Sequence, residues 1–180
     1  MKFLTKLATG KNILILLGLF LLVNFVLVPL VYPRFETLDM SSGYTPDQAY
    51  KMISSYGVQG RQTYAIIEMT LDLAYPFISG LLFSLLILYS FQRGFPDQKW
   101  MQLLAWLPFG VMLSDYLENA CILILLWGYP RELAAVAQIA DFFTLAKLYL
   151  SPFELVFVLG LINWLFRIIW MKLRAGYARD

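Results

Sequence analysis

The chain has 180 residues, 60% of them hydrophobic and only 14% charged, with a formal net charge of +2. Soluble domains run closer to about a quarter charged, so the apolar excess belongs to membrane spans, and a net charge this small gives no footing for nucleic-acid binding. Histidine is absent and Cys121 is the single cysteine, which excludes an intramolecular disulfide, a His/Cys zinc site, histidine general-base chemistry and a Ser-His-Asp triad.

Lys2, Lys6 and Lys11 precede the first apolar run, which extends over 13–31. Its end, VLVPLVYP, lacks the small-x-small pattern of a cleavage site. The run is near the roughly 20 residues a spanning helix needs. It reads as an uncleaved signal anchor.

A loop over 33–61 follows. Within it, YTPDQAYKMISSYG reads as a short helix: Thr45 suits the N-cap, Pro46 the first helical position, and Gln48 completes a capping box. Gly57 is a stop signal. Tyr50 and Ile53 share a face, so the helix is expected to lie on the outer membrane surface or to cap the bundle.

The second and third spans are expected over 64–91 and 100–127. The fourth, over 138–170, carries SPF at its middle and no polar turn. One long helix kinked near Pro152 is expected, because a proline inside a membrane helix is tolerated as a kink. Basic residues then orient the chain. Lys2, Lys6, Lys11, Arg93, Lys99, Arg167, Lys172, Arg174 and Arg179 gather on one side. The other side has Arg34, Lys51, Arg61 and Arg131, diluted by Glu36, Asp39, Asp47 and Glu132. The expectation is an all-α, four-span membrane bundle with both termini cytoplasmic and a short extracytoplasmic helix between spans one and two. Trp100 and Trp170 should anchor the inner interface, and Trp127, Tyr129 and Tyr32 the outer one.

Polar residues inside the spans form stripes. Glu68, Asp72, Tyr75 and Ser79 are spaced by four, three and four along the second span, which puts them on one helical face. Asp115, Glu118 and Asn119 are neighbours on the third. Thr144, Lys147, Ser151 and Glu154 repeat the pattern on the fourth. At about 1.5 Å per residue the three stripes overlap in depth, in the outer half of the bilayer. Ionisable groups in spans face the bundle interior or a wet cavity. One shared site is therefore expected: Asp72, Tyr75, Asp115, Glu118, Asn119, Thr144 and Lys147, with Glu68 at its mouth and Glu154 at its floor. Asp72, Asp115, Glu118 and Glu154 outnumber Lys147, so some acids should be neutral or a cation should sit among them. Oxygen ligands of this kind suit magnesium, calcium or manganese. A Lys–Asp pair with an Asn–Glu network can also serve only to specify helix packing. Gly80 and Ser84 make a small-xxx-small contact signal. Cys121 reads as an apolar filler rather than a nucleophile.

GYTPDQAY, GRQTY, LDLAYPF, DYLENA and TLAK occur in that order. Together they resemble a group of small, mostly bacterial, four-span membrane proteins in which an outer YSPEEAY-like segment precedes D-x-x-YP, D-x-x-EN and T-x-x-K motifs. The resemblance implies the four-span topology and points to Asp72, Asp115, Glu118, Asn119, Thr144 and Lys147. It supplies no reaction. Three functions fit the residues. One is a binding protein whose acidic intramembrane pocket takes a small cation, an amine or a lipid headgroup. Another is a membrane enzyme acting on a lipidic substrate by carboxylate acid/base chemistry. The third is a structural or assembly subunit for a membrane-protein partner. No inverted repeat is visible, which lowers active transport relative to binding.

Overall fold

The computed structural model describes residues 2–32 and 35–177, with the side chains of all of these except 153, 154 and 173–177. A short helix α1 (Lys2–Leu7) leads into α2 (Gly10–Val31) through Thr9, whose side chain accepts from the Asn12 N–H and caps the second helix. The middle of α2 widens into one π turn, Val23–Leu27, just before Pro29. Proline lacks an N–H to continue the regular ladder, and a π turn is one way to absorb the mismatch.

Helix α3 (Pro46–Ser55) carries the expected capping box: Thr45 accepts from the Gln48 N–H while the Gln48 side chain accepts from the Thr45 N–H. Gly57 adopts φ 65°, a left-handed conformation that glycine tolerates, and the chain turns there into α4 (Gly57–Gly94). After α4 comes α5 (Lys99–Gly128), whose opening stretch Lys99–Trp106 is 3₁₀ before the α-helix begins at Leu107. The last passage is α6 (Ala134–Leu150) followed by α7 (Phe153–Tyr177).

The kink expected near Pro152 is a two-residue break. Pro152 cannot donate to the Leu148 carbonyl, and the Ser151 hydroxyl takes that carbonyl instead, at 2.8 Å. Helix then resumes, and 134–172 remains one apolar passage. Four helices, α2, α4, α5 and the α6–α7 pair, are long and apolar enough to cross a membrane. At about 1.5 Å per residue, α4 exceeds the roughly 30 Å hydrocarbon core, so its ends project.

Helix α4 is the hub: α2, α5 and α7 pack on it, and α6 packs on α5. Two apolar cores form along it. The inner one joins Leu4 and Ala8 to Leu82, Leu85, Leu88, Phe91 and Ala105. The outer one folds Leu38, Tyr50 and Ile53 of the connecting segment onto Tyr64 of α4, Ile122 and Leu125 of α5, and Ala137 and Ala140 of α6. Leu38 and Ile53 are fully buried, worth about 1.5–3 kcal/mol each for side chains taken out of water. Helix α3 thus caps the bundle. Gly80 and Ser84 sit where α4 meets α5. A Cβ on Gly80 would lie 3.3 Å from the Met112 Cβ, and the Ser84 hydroxyl donates to the Ala105 carbonyl at 2.6 Å. A polar layer lies between the two cores.

Candidate functional site

The polar layer begins with Pro76. Its missing N–H frees the Asp72 carbonyl four residues back, and Asn119 Nδ2 of α5 donates to that carbonyl at 2.9 Å. The Tyr116 hydroxyl donates to the next carbonyl, Leu73, also at 2.9 Å. One proline thereby exchanges an intrahelical bond for one between helices, Tyr116 adds a second, and α5 is keyed to α4 at that depth.

Lys147 of α6 reaches across to α5. Its Nζ lies 2.7 Å from Asp115 Oδ1 and 2.6 Å from Glu118 Oε2. The Asp115 contact is also a hydrogen bond, whereas the Glu118 contact is an ion contact off hydrogen-bond alignment. The other Glu118 oxygen accepts from the Thr144 hydroxyl at 2.6 Å, and that hydroxyl lies 3.1 Å from the Ala140 carbonyl. Thr144, Lys147, Asp115 and Glu118 therefore form one network that joins α5 to α6, with Glu118 fully buried.

Beside this network is a cavity of about 370 Å³. All four passages line it: Asn24 and Phe20 from α2, Asp72 and Tyr75 from α4, Asp115 and Asn119 from α5, Lys147 and Ser151 from the last. Tyr75 stacks on Phe20, with ring centroids 5.9 Å apart. Over the cavity lies a 3₁₀ turn, Leu38–Met40, and Asp39 is part of the lining. Asp39 is held by two phenols, its Oδ2 accepting from Tyr32 and its Oδ1 from Tyr64, both at 2.5 Å. Burial first, and then the Asp39 carboxylate, push the Tyr32 phenol above its ordinary range. Tyr32, expected as an interfacial anchor, instead turns inward to the cavity.

Asp72 lines the cavity, and its Oδ2 is buried without a hydrogen-bond partner. One turn outward on the same face of α4 is Glu68, 2% exposed, with neither carboxyl oxygen hydrogen-bonded. The nearby Tyr64 hydroxyl donates its hydrogen bond to Asp39 instead.

The expected site is thus largely assembled, with two differences. Glu68 is not at a mouth: it is buried, so counting depth from the end of the helix left it too exposed. Glu118 and Thr144 stand behind Lys147 rather than in the cavity wall. The Glu154 side chain lies outside the described residues. Asp39 is an addition that no periodicity announced, since it belongs to a loop. Among the described residues, no group of three or more His, Cys, Asp or Glu side chains is disposed to hold a metal ion.

Fold and site together define a multi-pass, all-α membrane protein with a polar cavity between its spans. No family model, no curated protein and no solved structure matches the chain.

Proposed function

We propose that the cavity binds a small positively charged group, an organic ammonium above all. The observation that carries this reading is Asp72: it lines the cavity, and one of its carboxyl oxygens is buried without a hydrogen-bond partner. A buried acceptor without a donor is costly. Asp39 and Asp115 share the wall with it, while Lys147 is already engaged by Asp115 and Glu118. An ammonium supplies both the missing charge and the missing donors. A divalent cation would supply the charge but asks for several converging oxygen ligands. Acid/base chemistry on a lipidic substrate would draw on the same Asp72 oxygen and differs by turning over what it binds.

Thermal unfolding of the detergent-purified protein should separate these readings. A screen of primary amines, divalent cations and lipids is expected to stabilise wild type with an amine. Ligand at a hundredfold over its dissociation constant adds about 2.7 kcal/mol. Asp72→Asn should remove that gain while leaving the unliganded protein folded. Equal responses of wild type and D72N to every amine would defeat the reading and leave a packing network or an assembly surface in its place.

In the same proposal the protein resides in the cell membrane, a bacterial inner membrane, with both termini cytoplasmic and α2 as an uncleaved anchor. The support is the distribution of basic residues. A cysteine at Ser55, on a Cys121→Ser background, should react with an impermeant thiol reagent added from outside, and a cysteine at Ala178 should not. The reverse pattern would overturn the orientation.

A further inference from the structure

The cavity has two unlike ends. Its outer and middle part is polar: Tyr32, Asp39, Asp72, Asp115, Asn119 and Lys147. Its inner part is mainly apolar: Phe20, Phe83, Pro108, Val111 and Met112, with Ser79 and Ser151 keeping their hydroxyls on their own helices. The lining on α4 alone runs from Asp72 to Phe83, about 16 Å along the axis at 1.5 Å per residue. The cavity also has a weak side. Helix α2 packs substantially on α4, while its contact with α5 and α6 is sparse. Phe20 is fixed against Phe83 at 5.7 Å between centroids, and against Tyr75, so the α2–α4 side is closed. The 3₁₀ turn Leu38–Met40, packed on α5, covers the outer end. The most sparsely packed side is the seam between α2 and the α5–α6 pair.

Resting on the ammonium site proposed above, we infer that the ligand is an amphiphile, an ammonium headgroup carrying an alkyl or acyl chain, which enters sideways through the seam between α2 and the α5–α6 pair. The headgroup lies between Asp39 and Asp72, and the first part of the chain lies along Phe20, Phe83 and Val111. A soluble amine offers the same headgroup chemistry without using the apolar end. The unpartnered Asp72 oxygen explains the headgroup, and the graded lining explains the chain. A four-walled cavity with one loosely packed wall admits a lipid without opening its roof.

The test uses the full-length protein in phosphatidylcholine nanodiscs with three probes: dodecylamine, dodecanol and butylamine. Dodecylamine is expected to raise the unfolding temperature at a concentration at least about tenfold below that needed for butylamine, and dodecanol to leave it unchanged. Partition into the bilayer alone would favour dodecylamine equally in every variant. Val111→Phe, which fills the apolar end, should therefore lower the dodecylamine-to-butylamine preference by about tenfold. Val111→Leu, a smaller filling of the same end, serves the purpose if V111F does not fold. A dodecylamine analogue with a diazirine at the chain end should label peptides carrying residues 80–83 or 108–112. A preference for chain length that survives both substitutions, or labelling confined to lipid-facing positions, overturns the amphiphile while leaving the ammonium site standing. Silence toward both amines overturns the ammonium site and this inference with it.

Discussion

Replacing Lys147 with methionine tests the network on which the site is built. The lysine ammonium lies 2.7 Å from Asp115 and 2.6 Å from Glu118. The three side chains are 23%, 17% and 0% exposed. At an effective dielectric of about 20, each attraction at this separation is worth roughly 6 kcal/mol. Desolvation of three charged groups consumes most of that sum, so the intact network adds little net stability. Breaking it is another matter, because two carboxylates then remain in the bundle without their cation. Removing one partner of a buried pair costs about 3–5 kcal/mol, and methionine, similar in length to lysine and adaptable, leaves little extra void. At about 2–4 °C per kcal/mol for a chain of this size, K147M should unfold roughly 10 °C below wild type in detergent. The double variant K147M/E118Q should recover about half of the loss. It neutralises the fully buried acid and keeps an oxygen for the Thr144 hydroxyl. Wild-type stability in K147M, or no recovery in the double variant, would refute the argument and place the working position of the ammonium at the membrane surface.

Two further outcomes follow from the contacts around the cavity. Asn119→Ala should cost about 1–2 kcal/mol by orphaning the Asp72 carbonyl. In a Pro76→Ala background, where residue 76 regains an N–H for that carbonyl, the cost should shrink by about 1 kcal/mol; a thermal double-mutant cycle measures the difference, and additive effects would refute the pairing. The Tyr32 and Tyr56 phenols are both pushed above the ordinary value of 10.0, by burial first and then by Asp39. The unfolded chain releases these protons near pH 10 and the folded one does not, so their contribution is complete below pH 10 and is lost as pH rises beyond it. Hydrogen exchange over residues 35–56 should accelerate between about pH 9 and 11; unchanged protection would contradict the burial.

The apolar runs made the four passages legible, because lipid leaves few ways to satisfy a backbone. Thr45, Pro46 and Gln48 were equally plain: a cap is a local device, complete within four residues. The polar stripes identified Asp72, Asp115, Asn119 and Lys147, since helical spacing alone assigns a face. The sequence could not reveal what depends on chain segments folding back. Asp39 joins the cavity because Tyr32, just past the end of α2, and Tyr64 of α4 grip it from two sides. Glu68 is buried although it lies near the end of its helix, which only tertiary packing decides. Division of the acids into those engaged by Lys147 and the one left open was likewise unreadable, because Asp72, Asp115 and Glu118 all lie at lysine's reach in a one-dimensional depth count.

The roof over the cavity has a consequence for the order of synthesis. Tyr44 donates its backbone N–H to Asp141 of α6 at 2.7 Å, across a sequence separation of 97 residues. Ala137 and Ala140 of the same helix complete the outer core. The segment over 35–56 therefore emerges from the ribosome long before its seat exists. At about 5–20 residues per second it waits several seconds, with Leu38 and Ile53 uncovered, until the last passage arrives. During that interval the Asp39 turn has nothing on α6 to fasten it, and Asp115 and Glu118 have not yet met Lys147. A chain stalled before Asp141 should therefore hold its spans without a closed cavity, vulnerable to proteases at the outer segment and to surveillance of the exposed acids on α5.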